Sequence, residues 1–351
     1  MSFNGHNQQQ KREVQLRPDD IVIPIMGATG SGKSTFIWLL ADGPSAVIGH
    51  SLKGYTKSIK IYPYHLTPKT RLILLDTPSF TEASSTTDTD ITDTITLRSL
   101  ASILCLLHTN NIKLGGLIYL HDITTTTRRR PSTGGGGGAQ QRSLRMFKKL
   151  IGTENLSNTI LVTTMWGNLT AYREGAGREK LLRDKYWESM LARGSVMMRH
   201  SGSRRSAEQI VKTLLRRSTG GSIVLDIQRE MVLQRRRLSD TGVGRELDCE
   251  MRGERDRCGK EIAALRKEIE DVGRGRDGGR ALRESRAARL REKIRVLEEG
   301  RRALRVDFQR LRGEVEEQEG EGERRKKKGF GKTALGIGIG TIFGLTTGIF
   351  F

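Results

Sequence analysis

Between residues 21 and 217 short apolar runs alternate with longer stretches whose apolar positions recur every three or four residues. IVIPIMG (21–27), SIKIYPY (58–64), RLILLD (71–76), GLIYLHD (116–122) and NTILVTTMW (158–166) predict strands. KSTFIWLLA after Gly32, TITLRSLASILCLL (94–107), SLRMFKKLI (143–151), REKLLRDKYWESMLAR (178–193) and SAEQIVKTLLRR (206–217) predict helices. This alternation predicts an α/β domain over 20–217, with a mostly parallel sheet covered on both faces. One pair departs from it. Only HLTPKT lies between the second and third strands, too short for a crossover helix, so they are expected as an antiparallel hairpin.

From about residue 223 the pattern becomes arginine- and glutamate-rich helix. Ile262, Leu265, Ile269 and Val272 step by three and four, as do Ile294, Leu297, Arg301, Leu304, Phe308, Leu311 and Val315. These are a/d seams, and they predict a helical coiled-coil region over 223–320. The four glycines of VGRGRDGGR (272–280) should break it. Three arrangements fit: a hairpin folded on itself or on the first domain, a coiled coil between chains, or a solvated charged helix.

The remaining segments are biased in composition. Residues 1–19 are polar, have no apolar signal-peptide region and are expected to be disordered. TTTTRRRPSTGGGGGAQQ (124–141) reads as a low-complexity surface insertion. The polybasic ERRKKK (323–328) precedes a tail, 329–351, that is uncharged from Thr333 onward. Gly336, Gly340, Gly344 and Gly348 fall every fourth residue, a spacing that lets two membrane helices approach closely. As a helix the uncharged stretch measures ~28 Å, close to one hydrocarbon core. A C-terminal anchor is expected, with the basic run beside anionic lipid on the cytosolic side; the competing reading is a disordered glycine-rich tail.

Composition narrows the partners. The 351 residues carry a formal net charge of +21, which suits anionic partners such as phosphates or acidic lipid. No nucleic-acid-binding module is recognisable and aromatic content is 5%, so nucleic acid is not an expected partner. Three cysteines at unrelated spacings make neither a disulfide framework nor a metal site and suit a reducing cytoplasm. His50, His121 and His200 show no acid–base arrangement.

GATGSGKST (27–35) fits G-x-x-x-x-G-K-[ST], directly after a predicted strand and before a predicted helix. Across Gly27, Ala28, Thr29, Gly30, Ser31 and Gly32 the backbone can wrap closely and aim its N–H groups at phosphates. Lys33 would reach the β- and γ-phosphates, and the Ser34 hydroxyl would ligate Mg2+. Asp76 closes an apolar strand and is followed by Thr-Pro rather than an acidic residue, which argues against ATPases that place a catalytic glutamate there.

GATGSGKSTFI, GHSLKGYT, LLDTPSF, GLIYLHDI, SLRMFKKL, LVTTMW and GSVMMRH together resemble a family of fungal G-domain proteins. That family is similar to septins and immunity-associated GTPases. The resemblance covers about 20–217 and implies binding of GTP with Mg2+, with slow or dimerisation-assisted hydrolysis. It implies phosphate and metal roles for Gly32, Lys33, Ser34 and Thr35. Thr56 matches a switch threonine that meets Mg2+ and γ-phosphate, although a strand-edge hydroxyl is an equal reading. Asp76 matches the aspartate that holds the metal through water. The metal set implied is thus Ser34, Thr56 and Asp76. Thr164 would contact the base, and Ser195 would offer it a backbone donor.

Three positions depart from the family pattern. Ser79 stands where D-x-x-G has glycine, though its N–H can still serve a γ-phosphate. Phe80 replaces a water-orienting glutamine, so no catalytic residue is visible, beyond transition-state stabilisation by Lys33 and Thr56. Gly167 replaces the aspartate that reads guanine, which weakens base specificity. The sequence therefore predicts a GTP-binding switch held to a membrane by its tail. Its self-association would run through the G domain, the coiled coil or the glycine-spaced tail. The alternative is a nucleotide-binding scaffold with little hydrolysis and relaxed base choice.

Overall fold

The computed structural model describes residues 16–42, 59–80, 93–125, 138–167, 169–218, 223–274 and 280–313. Thr56, most of the 124–141 insertion, Val315, the polybasic run and the 329–351 tail lie outside the described residues.

A seven-stranded sheet comprises β1 (Ile21–Gly27), β2 (Lys60–Thr67), β3 (Thr70–Asp76), β4 (Lys113–Leu114), β5 (Leu117–Asp122), β6 (Thr159–Thr164) and β7 (Val196–Arg199). Its order is β2-β3-β1-β5-β6-β7, with β4 paired beside β1. All pairings are parallel except β2 with β3, the hairpin expected from its short connection. Two prolines fall where the ladder spares them. Pro63 lies on the edge strand β2, and Pro24 lies where β1 changes partner from β4 to β5.

The period-two pattern sorts the strands onto two cores. Val22, Ile73, Leu75, Leu117, Tyr119 and Leu161 face one layer; Ile23, Ile25, Leu72, Leu74, Ile118 and Val162 face the other. The second layer is covered by α1 (Lys33–Trp38) and α6 (Arg204–Arg217) through Phe36, Ile37, Ile210 and Leu214. The first is covered by α2 (Asp93–Thr109) and α3 (Gly138–Ile151), with Leu182, Trp187 and Met190, which lie between the end of α4 (Leu169–Leu181) and the end of α5 (Glu188–Leu191), also entering it. The single helix expected over 178–193 is interrupted: Leu182–Tyr186 winds as a π-helix between α4 and α5.

The helix α2 is buried almost throughout, because the segment that follows the sheet packs over its outer side. Leu225, Ile227, Met231 and Leu238 enter the same core, and Gln228 Nε2 donates to Leu104 O at 2.7 Å. Burial pushes the Cys105 thiol up to about 12, as expected for a core cysteine. After the short α7 (Asp226–Gln228) come two 33-residue helices, α8 (Gly242–Arg274) and α9 (Arg280–Arg312). They lie antiparallel: Arg266 pairs with Glu298 at 2.8 Å, and Arg252 lies over the Phe308 ring at 5.3 Å. The two helices thus pair within one chain, and Leu304 and Leu311 reach into the first-layer core. Leu265 and Ile269, towards the hairpin tip, are only half-buried. Among the described residues no helix is long and apolar enough to cross a membrane.

Candidate functional site

The C-terminal edge of β1 delivers the backbone into Gly27–Gly32, and α1 begins at Lys33. Two glycines are required by geometry. A Cβ on Gly27, at φ +148°, would stand 2.3 Å from Leu120 O; Gly32 caps α1 in the left-handed region at φ 87°. The first turn of a helix leaves its N–H groups without intrahelical acceptors, so this loop presents donors to an anion.

Lys33 folds back over the loop. Its Nζ donates to Gly27 O and Ala28 O, both at 3.0 Å, and to Ser79 Oγ at 2.5 Å. The ammonium is buried, and desolvation pushes its pKa down to about 8, with the charge of Asp76 acting in the opposite direction. Ser34 Oγ donates to Asp76 Oδ2 at 2.8 Å. That bond commits the hydroxyl proton to the carboxylate and leaves the oxygen lone pairs for a hard cation. Ser31 Oγ is buried with no hydrogen-bond partner among the described residues. An unsatisfied hydroxyl, a buried ammonium and an oxygen donor set suit a phosphate with Mg2+.

The segment after Asp76 is anchored at both ends. Thr77 Oγ1 donates to Ile25 O at 2.8 Å, and the Phe80 ring is buried in the first-layer core. A buried ring cannot position water.

On the neighbouring strand, Thr164 Oγ1 bonds Ser31 O at 3.0 Å and His121 O at 3.2 Å. Thr164 therefore belongs to the site as a tie between β6, β5 and the phosphate loop. Met165 follows at φ 64°, near Gly32, and Trp166 packs inward. The Trp166 Nε1–H goes to Thr163, and its ring is covered by the Arg199 guanidinium at 4.3 Å, itself held by Glu179. Gly167 is exposed, and among the described residues nothing crowds the place of a Cβ there.

Ser195 requires a correction. It precedes β7, at the opposite end of a parallel strand from the phosphate loop, and its buried hydroxyl donates to Leu156 O at 2.7 Å. The loop on the correct edge is His200–Gly202, which follows β7. The signal that marks it is the small-residue pair Ser-Gly just after the VMMR strand. His121 and His200 are structural: His121 stands edge-on to Trp187 at 5.6 Å and His200 to Phe36 at 5.1 Å. Burial pushes His121 down to about 4 and His200 in the same direction.

A parallel sheet with one antiparallel edge hairpin, a phosphate loop after β1 and a metal-competent aspartate closing β3 define a P-loop GTPase G domain, a class that binds GTP with Mg2+. Residues 22–129 match the family model described as 50S ribosome-binding GTPase. No curated protein matches the chain. Among solved structures, the G domain of the T. maritima FeoB iron transporter is similar over 57% of this chain and 99% of its own, at 13% identity and TM-score 0.34. The cytosolic domain of the same transporter in its apo form is similar over 80% of this chain and 97% of its own, at 12% identity and TM-score 0.38. Era in complex with MgGDPNP and a 16S ribosomal RNA segment is similar at 17% identity and TM-score 0.37. This chain spans 59% of that Era chain, which covers 59% of this one.

Proposed function

We propose that this protein is a guanine-nucleotide-binding switch whose hydrolysis is slow or assisted by a partner, and that its 329–351 tail holds it to an intracellular membrane. One observation carries the nucleotide reading: Lys33 and the Ser34–Asp76 pair converge at the mouth of the glycine loop. Ser34, and Asp76 through water, would hold Mg2+, joined by Thr56 if the family pattern applies there. The bound ion would neutralise charge on the β- and γ-phosphates. Lys33 would stabilise charge on the transferred phosphoryl group, and the loop N–H groups would orient the row of phosphates. No side chain of the described site is placed to activate water, so turnover calls for a group supplied by a partner, such as an arginine. A second copy of this chain fits that requirement in a family close to septins and immunity-associated GTPases. The helical region and the glycine-spaced tail are further routes to self-association.

The alternative, a nucleotide-binding scaffold with little turnover, is favoured by the buried Phe80 and by Gly167. Equilibrium binding and turnover of GTP and ATP with Mg2+, for wild type and Lys33→Ala, test both. GTP binding lost in Lys33→Ala supports the site, and turnover separates switch from scaffold. Wild-type protein that binds no nucleotide overturns both readings.

A further inference from the structure

The hydroxyl of Ser79 has no counterpart at a D-x-x-G glycine, and it is bonded to the phosphate-loop lysine. An ammonium has three N–H donors. Gly27 O, Ala28 O and Ser79 Oγ take all three. Two of those acceptors belong to the loop that carries Lys33; Ser79 comes from a segment 46 residues on. That segment is not free to drift away. Thr77 is bonded to Ile25 O, the Phe80 ring is buried, and Asp76 holds Ser34. The serine oxygen is thereby presented to Lys33 by its neighbours on both sides.

We propose that the Ser79 hydroxyl takes the place of a γ-phosphate oxygen on Lys33 and so biases this site towards nucleoside diphosphate over triphosphate. The inference rests on the nucleotide reading above and concerns the selectivity of the same site. A diphosphate ends one phosphate short, and Ser79 can keep its donor. A triphosphate brings an acceptor of higher charge to the same ammonium and has to displace the serine. Displacement pulls on Thr77 and Phe80, so triphosphate binding is coupled to their anchoring. Glycine at this position would offer only its N–H and would leave Lys33 open to the γ-phosphate.

The test compares dissociation constants of GDP and GTP, both with Mg2+, for the full-length protein and for Ser79→Ala, Ser79→Gly and Ser79→Thr. Losing a hydrogen bond to a charged group should raise the GTP:GDP affinity ratio by about tenfold in the alanine and glycine variants. Ser79→Thr, which keeps a hydroxyl, should hold the wild-type ratio. Both nucleotides bound at an unchanged ratio in Ser79→Ala and Ser79→Gly overturns this inference and leaves the functional reading intact. Failure of wild type to bind either nucleotide overturns the functional reading and this inference together. Amide exchange without nucleotide gives a ligand-independent check: the amides of residues 77, 79 and 80 should exchange faster in Ser79→Ala, and equal exchange overturns the latch.

Discussion

At the scale of single residues, what is missing at Gly167 is as informative as what is present. The guanine-reading aspartate of the family pattern is absent, yet its place is open. Among the described residues a Cβ there would meet nothing within 4 Å, and the backbone lies outside the left-handed region. Trp166 beside it is already committed to Thr163 and Arg199, so it offers no substitute base contact. Gly167→Asp should therefore fold normally and regain guanine selectivity. Hydrogen bonds to a charged group are worth about 1.5–3 kcal/mol each, so the GTP:ATP affinity ratio should rise at least ~10-fold. Displacement of labelled GTP by ATP measures it, and an unchanged ratio would separate this loop from base recognition.

His121 supplies the pH dependence. Burial lowers its pKa from 6.5 to about 4, so between those values the unfolded protein binds a proton that the folded protein refuses. Its stabilising contribution is complete above pH ~6.5, is lost as pH falls towards 4, and amounts to roughly 3 kcal/mol over the window. Urea unfolding at pH 7 and pH 4.5 should show a larger loss for wild type than for His121→Asn. Equal losses would mean that His121 takes up its proton without cost in the fold.

At the scale of elements, a buried cation joins the C-terminal helices to the first domain. Arg142 on α3 pairs with Asp93 at the start of α2 at 2.6 Å and with Glu250 on α8, and all three side chains are at most 13% exposed. Removing the arginine takes the cation they share from two buried carboxylates, and of these Glu250 keeps its pair with Arg145. Arg142→Met should cost about 3–5 kcal/mol, and adding Asp93→Asn with Glu250→Gln should return most of that loss. Chemical denaturation of the single and triple variants checks this; equal stabilities would show that the apolar contacts of Leu304 and Leu311 hold the helices unaided.

The same elements show how far the sequence carries. Strands β1, β3, β5 and β6 were legible because each is long enough to stand out as an apolar run, and the hairpin because six residues allow no crossover. β4, with two residues, and β7, with four, are too short to display a period. The π-helical turn at Leu182–Tyr186 leaves the apolar spacing nearly intact, so 178–193 reads as one helix. The helical character of α8 and α9 was legible, but their antiparallel pairing was not, since a heptad pattern is indifferent to whether the facing helix comes from the same molecule or another. In the site, the phosphate loop is local and was read residue by residue. Ser195 was misplaced because a motif carries no strand register, and Thr164 proved to tie the loop together. The Lys33–Ser79 bond joins two segments that only the fold brings together.

At the scale of the whole molecule, the surplus of 21 positive charges and the uncharged tail make two separate claims on a membrane. The first is electrostatic and would hold the protein to any anionic surface, with a strength that salt removes, because the Debye length falls to ~3 Å at 1 M. The second is apolar and would persist in salt. Co-sedimentation with vesicles containing phosphatidylserine, at about 0.1 M and 1 M NaCl, tells them apart. The full-length protein should remain with the vesicles at both concentrations. A variant ending at residue 328 retains the polybasic run and should bind at low salt, then be released at high salt. If the full-length protein is released as readily as the shortened one, the tail is no anchor. Vesicle binding would then be a property of charge alone, and the G domain would be recruited to membranes without being held there.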